Sequence, residues 1–225
     1  MVRHVFFFDL DNTLYHRSHR IQDLMSSLIS QYFTSELCLS SEEAESLHME
    51  YYRKYGLALE GLVRFHKIDP MDYNKEVDDA LPLEEILKPD DQLRSLLSSI
   101  NRRHIKPWIF TNAYIRHAER VLNLLNVGEY FEGITYCDYN SEILICKPHD
   151  KMFLLAMEEA GVTDPSQCYF VDDSYTNCIA AKRLGWKHVV FLEDSEVHRD
   201  ERDDGLLRIR ELYELRGLFP EVFSV

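Results

Sequence analysis

The chain is short of positive charge, of paired cysteines and of long apolar runs, and each shortage argues against a class of function. Its 225 residues hold 25 Lys and Arg against 39 Asp and Glu, a formal net charge of −14. Binding to a polyanion rests on neutralising phosphates with Lys and Arg, so a nucleic-acid polymer is a poor partner for this surface. A small phosphorylated metabolite is compatible, provided that its site carries positive charge of its own. The five cysteines, Cys38, Cys137, Cys146, Cys168 and Cys178, are odd in number and show no CxxC spacing. That argues against a disulfide framework or a zinc site and fits a reducing compartment. The apolar run at residues 5–8 is cut off by Asp9, too soon for a signal peptide, and no stretch approaches membrane-spanning length. The expectation is a soluble cytoplasmic protein, the nucleus remaining open, with no membrane partner. Several site types are missing too: there is no GxSxG elbow, no HExxH among the ten histidines, and no GxGxxG after the first apolar run. Gly56 and Gly61 have P-loop spacing, but Leu62 and Val63 follow where Lys and Ser or Thr are required.

What is present is enough hydrophobic sequence, 45% of the chain, to bury a sizeable core in one domain with a modest insertion. Val5-Phe6-Phe7-Phe8 reads as a buried parallel strand running into the turn-prone Asp9-Leu10-Asp11-Asn12. Ile21, Leu24, Met25, Leu28 and Tyr32 then fall at helical spacing. Ser40 and Ser41 ahead of Glu43 suggest the capped start of a second helix reaching toward Tyr55, where Gly56 breaks it. Further helices are expected from Leu57 to His66 and after Pro70, with no strand signal before about Pro89. From there strands and helices alternate. Helices are expected from Asp91 to about Arg102, through Arg116 to Leu125, from His149 to Ala160, and behind Asp172 to Leu184. Strands are expected at Trp108-Ile109-Phe110, Ile134-Thr135-Tyr136, from Cys168 to Val171 and, as the last clear one, from His188 to Leu192. Residues 193–204 read as an acidic, solvated loop. The alternation predicts an α/β fold: a Rossmann-like, doubly wound parallel sheet covered on both faces, formed by residues 1–15 and 90–225, with residues 16–89 as an all-helical insertion after the first strand.

Four polar segments stand at or just beyond predicted strand ends, where open α/β sheets bind ligands: Asp9-Leu10-Asp11-Asn12-Thr13, Thr111-Asn112, Lys147-Pro148 and Asp172-Asp173-Ser174. Each alone has a plain structural reading, as a turn, a strand residue, a surface lysine or a polar strand end. In this order and context they resemble the haloacid dehalogenase superfamily, from Phe6 to about Leu192, with FFFDLDNTL as the most specific element and FTNA, CKP and FVDDS as the others.

The resemblance implies that Asp9 is a nucleophile, forming an acyl phosphate that splits one hard step into two. Asp11 would protonate the leaving oxygen and then take a proton from water. Thr111 and the Asn112 backbone would hold phosphate oxygens, and Lys147 would neutralise phosphate and Asp9. Asp173 would ligate Mg2+, joined by Asp9 and the Asp11 carbonyl oxygen, with Asp172 a further metal-site residue, more in support than in direct contact, as would be Asn177. Converging carboxylates support a cation: like charges at roughly 4 Å cost about 4 kcal/mol per pair at an effective dielectric near 20, more than one lysine offsets. Asn177 and Asp172 are departures from the common pattern, which often has an acidic residue and a glycine in their places.

The insertion resembles the helical cap of one branch of the superfamily. Tyr51-Tyr52-Arg53-Lys54-Tyr55-Gly56-Leu57-Ala58, Gly61-Leu62, FTNAY and TYCDY resemble the fungal and plant pyrimidine 5′-nucleotidase group. The implied substrate is a nucleoside monophosphate such as UMP or CMP, with Tyr52, Tyr55 and His66 as substrate-binding candidates beside Tyr51 and Tyr73. Any single one of these tyrosines reads more readily as helix packing. The alternatives are a phosphatase for a sugar phosphate, lysophosphatidic acid or pyridoxal phosphate, a carbon–halogen hydrolase (which Asp11 and the Asp172-Asp173 pair oppose), or a regulatory protein on the same scaffold.

Overall fold

A computed structural model describes residues 3–193 and 205–224. Strand β1 (His4–Phe8) lies inside a six-stranded parallel sheet of order β3-β2-β1-β4-β5-β6. The others are β2 (Ile105–Phe110), β3 (Ile134–Thr135), β4 (Cys168–Asp172), β5 (His188–Leu192) and β6 (Leu207–Ile209). The predicted α/β class is what the sheet shows. β1 pairs with β2 from His4 against Ile105 to Phe8 against Ile109, and with β4 from Val5 against Cys168 to Phe8 against Val171. This register brings the carboxyl ends of three strands level.

The period of two in β1 decides what covers each face. Phe6 and Phe8 join a core with Leu93, Leu96, Val121 and Leu122. Val5 and Phe7 point the other way, into a core with Phe110, Phe153, Phe170 and Trp186. Strand β1 is thus apolar on both sides, as a strand buried between two helical layers must be. The first layer draws on α6 (Asp91–Ser98) and α7 (Ile115–Leu125), the second on α8 (Asp150–Ala160) and α9 (Tyr175–Arg183).

Between β1 and β2 every regular element is helical: a 3-10 turn at Arg17–His19, α1 (Ile21–Leu37), α2 (Ser41–Tyr55), α3 (Ala58–His66), α4 (Pro70–Tyr73), a π-turn at Asn74–Asp78, α5 (Leu83–Ile86) and α6. Ser40 and Glu43 form the anticipated reciprocal cap on α2, satisfying orphan N–H groups at the helix start. A third core joins these helices to Tyr114, Cys137, Tyr139, Leu144 and Cys146. The short α10 (Leu215–Leu218) closes the chain.

Differences from the sequence reading sit at element ends. Helix α6 stops at Ser98, before Arg102, because Ile100 bridges to Phe223 and the Asn101 carbonyl accepts from His104 and Ile105 in a turn. Tyr136 lies beyond β3, which keeps two residues. Strand β6 adds an edge pairing, Val190 against Leu207 to Leu192 against Ile209, that a three-residue run gave little sign of. Most of the acidic stretch read as a loop, residues 194–204, lies outside the described residues. No helix among the described residues is long and apolar enough to cross a membrane.

Candidate active site

The site is built where β1, β2 and β4 end. Asp9 extends β1 by donating its N–H to the Val171 carbonyl at 3.0 Å, after which the chain turns sharply: Asn12 takes a left-handed φ of 57°, and Leu14 donates to the Leu10 carbonyl at 2.9 Å. Asn tolerates that conformation better than most side chains. The turn brings Thr13 back onto Asp9, its hydroxyl donating to Oδ2 at 2.9 Å.

Lys147 is the centre of the cluster. Its buried ammonium donates to Asp9 Oδ1 at 2.8 Å, Asp172 Oδ2 at 2.7 Å and the Phe110 carbonyl at 2.6 Å. Three donors meet three acceptors, which is what a buried lysine requires. Burial disfavours its charge, but Asp172 and Asp9 outweigh that and hold its pKa above the ordinary lysine value. Asn112 fixes the lysine's backbone at two points: its Oδ1 accepts from the Lys147 N–H at 2.7 Å and its amide donates to the Lys147 carbonyl at 2.8 Å. The Lys147–Pro148 bond is cis. Thr111 is buried, and its hydroxyl accepts from the Ala113 N–H at 3.0 Å, shaping the loop at the end of β2.

Asp172 is saturated. Besides Lys147 it accepts from the Ser174 N–H at 2.7 Å and from the Asn177 amide on both oxygens at 3.1 Å. Asp173 is more open and accepts from the Arg17 guanidinium at 2.8 Å. Burial and the Asp172 charge push Asp173 up to about 6, against Arg17. Burial also holds Asp9 well above the carboxylate range; Lys147 opposes this, and Asp172 and Asp173 add to it. Carboxylate oxygens of Asp9, Asp172 and Asp173 lie within 4.8 Å of one another. Three hard oxygen donors held together at such a cost in charge fit a hard divalent cation such as Mg2+. Of the two neighbours, Asp173 has the coordination capacity, and Asp172 is the better support.

The Asp11 carboxylate turns away from that cluster. Its Oδ1 accepts from the Tyr15 hydroxyl at 2.7 Å and pairs with His117 Nε2 at 2.8 Å. Burial would raise its pKa, but His117 and these hydrogen bonds hold it below the ordinary value.

The aromatic candidates of the helical segment separate. Tyr52 is exposed as a residue, but the protein around its hydroxyl shields it from part of the solvent, and this with the charges of Asp173, Asp172 and Asp9 raises its phenol pKa, so it shares the field of the acidic cluster. Tyr55 lies nearby in the chain, its carbonyl accepting from the Cys146 thiol while Arg64 sits 4.9 Å from its ring. His66 is tied instead to the buried Tyr51 at 2.8 Å, and Tyr73 is buried against Tyr32 and Tyr139; these three pack helices. The sequence places Thr13 in the first polar segment without a role of its own; Tyr15, Arg17 and His117 are not singled out there. Thr13 and Tyr15 follow Asp9 and Asp11 by four residues, a usable signal; nothing local marks Arg17 or His117.

Three comparisons bear on this arrangement. A family model described as haloacid dehalogenase-like hydrolase matches residues 4–185. Phosphate metabolism protein 8 of Saccharomyces cerevisiae is 40% identical over 207 residues, covering 88% of this chain; the chain spans only 64% of that relative's length. Among solved structures, an HAD phosphatase from Thermococcus onnurineus has TM-score 0.61 at 21% identity with both chains fully covered. The HAD-hydrolase YfnB of Bacillus subtilis bound to magnesium has TM-score 0.62 at 16% identity, covering 97% of this chain and 99% of its own.

Proposed function

Because the chain belongs to the haloacid dehalogenase-like hydrolase family, we propose that it is a magnesium-dependent phosphomonoester hydrolase acting through a phospho-aspartate on Asp9. The observation that carries this reading is the buried Lys147 bridging Asp9 and Asp172, with Asp173 alongside. Asp9 attacks phosphorus as the bond to the leaving oxygen breaks, and Asp11 gives that oxygen its proton. Water then attacks the phosphoryl group, Asp11 takes the water's proton, and Asp9 is released. In the resting site His117 and Tyr15 hold the Asp11 pKa below its ordinary value, so the proton that Asp11 gives to the leaving oxygen is one it takes from the incoming phosphomonoester, bound as its monoanion. Lys147, aimed at Asp9, offsets charge on both nucleophile and phosphate. Mg2+ held by Asp9, Asp173 and the Asp11 carbonyl would supply the remaining positive charge. The yeast relative's name and the magnesium in the Bacillus structure support this reading.

For the substrate we propose a pyrimidine nucleoside 5′-monophosphate such as UMP or CMP, with residues 16–89 acting as a cap over the core at residues 1–15 and 90–225. Tyr52 offers an accessible ring in the field of the acidic cluster. Base stacking on such a ring contributes about 1–3 kcal/mol, roughly a ten- to hundredfold preference in kcat/KM. Binding energy from the remote base then favours the aligned, water-poor state. Phosphate release from UMP and from ribose 5-phosphate tests it. Equal kcat/KM would replace the nucleotidase assignment with a broad sugar-phosphatase one, and no release from any monoester with magnesium would remove the hydrolase.

A further inference from the structure

Beside the reacting cluster runs a second buried polar chain, which the mechanism above uses only through the contact of His117 with Asp11. His117 is 2% exposed. It sits on α7, separated from Asp11 by 106 residues of sequence, and reaches it through Nε2 at 2.8 Å. Its other ring nitrogen, Nδ1, is buried with no hydrogen-bond partner among the described residues, and the same is true of Asp78 Oδ2. The two side chains act on one another's charge, and the Tyr139 hydroxyl also acts on Asp78. Asp78 comes from the helical segment, at the end of the π-turn Asn74–Asp78, where the Asp79 N–H reaches the Asn74 carbonyl at 2.8 Å. π-turns are uncommon and concentrate at functional positions. One helical turn beyond His117, Arg120 binds the carbonyls of Asp78, Asp79 and Leu81 and the carboxylate of Glu84. Helix α7 therefore holds both Asp11 of the core and the stretch that carries Asp78.

We propose that His117 and Asp78 are positioning residues for Asp11, and that through them the helical segment sets the orientation of the acid/base carboxyl. Tyr15 and His117 both occupy Oδ1, which leaves Oδ2 to face a leaving oxygen and, in the second half-reaction, a water. A carboxyl serving both steps must present the same oxygen twice, and a hydrogen bond from a buried ring fixes it better than a flexible side chain can. For Nε2 to donate to Asp11 it must carry a proton. The tautomer with the proton on Nε2 leaves Nδ1 as an acceptor, and Nδ1 and Asp78 Oδ2, both buried and without a hydrogen-bond partner among the described residues, are the atoms that a shared proton would join. Neither residue touches the phosphate. The proposal rests on the assignment of Asp11 as acid/base residue.

The test combines a spectrum with kinetics. In 15N-histidine-labelled, metal-free protein, the His117 resonances are identified by their loss in His117→Gln. An exchange-protected proton on Nε2 is expected, moved by Asp11→Asn and by Asp78→Asn. A His117 lacking the Nε2 proton, or indifferent to Asp78→Asn, overturns the proposal. In turnover with magnesium, His117→Leu should lower kcat on a nucleoside monophosphate by roughly ten- to hundredfold, the size expected for a lost hydrogen bond to a charged group, with KM within about threefold. The loss should be much smaller on an activated aryl phosphate, and His117→Gln should recover most of it. Equal losses on both substrates would reduce His117 to a packing residue. Should His117→Leu fail to fold, Asp78→Asn carries the same kinetic comparison. A wild-type protein inactive on every monoester would overturn the hydrolase reading, while the spectrum would still decide the link from Asp78 to Asp11.

Discussion

The Lys147 ammonium donates to Asp172 Oδ2 at 2.7 Å with the two side chains 1% and 0% exposed, so a full ion pair is locked out of water. Such a pair is weak evidence of net stability, but breaking it is expensive because one buried charge is left alone. Here the lysine serves two carboxylates. Lys147→Ala should lower unfolding free energy by about 3–5 kcal/mol, read by urea denaturation in chelator. Magnesium should narrow the gap to wild type, since a cation can take over part of the neutralisation. Matching midpoints in chelator would show that Asp9 and Asp172 do not depend on the lysine.

Asp9→Asn should behave in the opposite way. Burial already holds the Asp9 carboxyl well above its ordinary pKa, so its charge is a burden to the metal-free fold. The amide is nearly isosteric: its oxygen can still accept from Lys147, and its NH2 can donate to the Thr13 hydroxyl once that turns to accept. Turnover should vanish while the denaturation midpoint in chelator stays level or rises. A folded variant with normal phosphate release would dismiss Asp9 as nucleophile.

Metal dependence should follow pH with a definite sign. Asp173 is pushed up to about 6, first by burial and then by Asp172. In the metal-free fold it is ionised above that pH and protonated below it. A raised carboxyl pKa means that the charge penalty grows as pH climbs through the unfolded value toward 6, and a bound cation relieves it only where the carboxylate exists. The rise in Tm on adding magnesium should therefore be larger at pH 7.5 than at pH 5. Chelation should abolish activity, with calcium a poor substitute because it prefers more ligands at longer distances. A Tm rise independent of pH would mean that Asp173 is not a ligand.

Gly56 should tolerate no side chain. It ends α2 with φ +82°, and a Cβ there would stand 2.3 Å from the Lys147 carbonyl oxygen and 2.6 Å from Pro148 Cδ. Gly56→Ala must displace either the helical segment or the lysine loop. About 1–3 kcal/mol of stability should be lost, and kcat/KM should fall at least roughly tenfold, as small misplacements of a reacting group do. Unchanged kinetics would show that the contact does not position Lys147.

Much of this was legible in the chain. The triple phenylalanine and the turn residues after it marked β1 and its carboxyl end, because a strand buried on both faces leaves a continuous apolar run. The capping pair Ser40 and Glu43, and Gly56 as terminator, are local signals and came through intact. Asp9, Asp172 and Asp173 stand at strand ends and Lys147 in the loop before α8, where topology gathers them. What sequence could not give was pairing at a distance. Nothing near residue 117 distinguishes a histidine reaching Asp11 from one packed in a core, and nothing near residue 78 foretells a buried carboxylate. The tyrosines at positions 51, 52, 55 and 73 are chemically alike in a string of letters, and only helix phase in three dimensions separates the accessible Tyr52 from the buried Tyr51 and Tyr73.

The strand order bears on how the molecule comes into being. β1 is synthesised before both of its neighbours, residues 105–110 and 168–172. Until the second of these leaves the ribosome, Phe6, Phe7 and Phe8 have one flank without a strand and much of their covering unmade. Pairings across such separations form slowly, and an uncovered apolar strand invites association with other chains. The segment that presents the proposed nucleophile is thus also exposed to aggregation during biogenesis, and recovery of activity on refolding should lag behind recovery of helical signal.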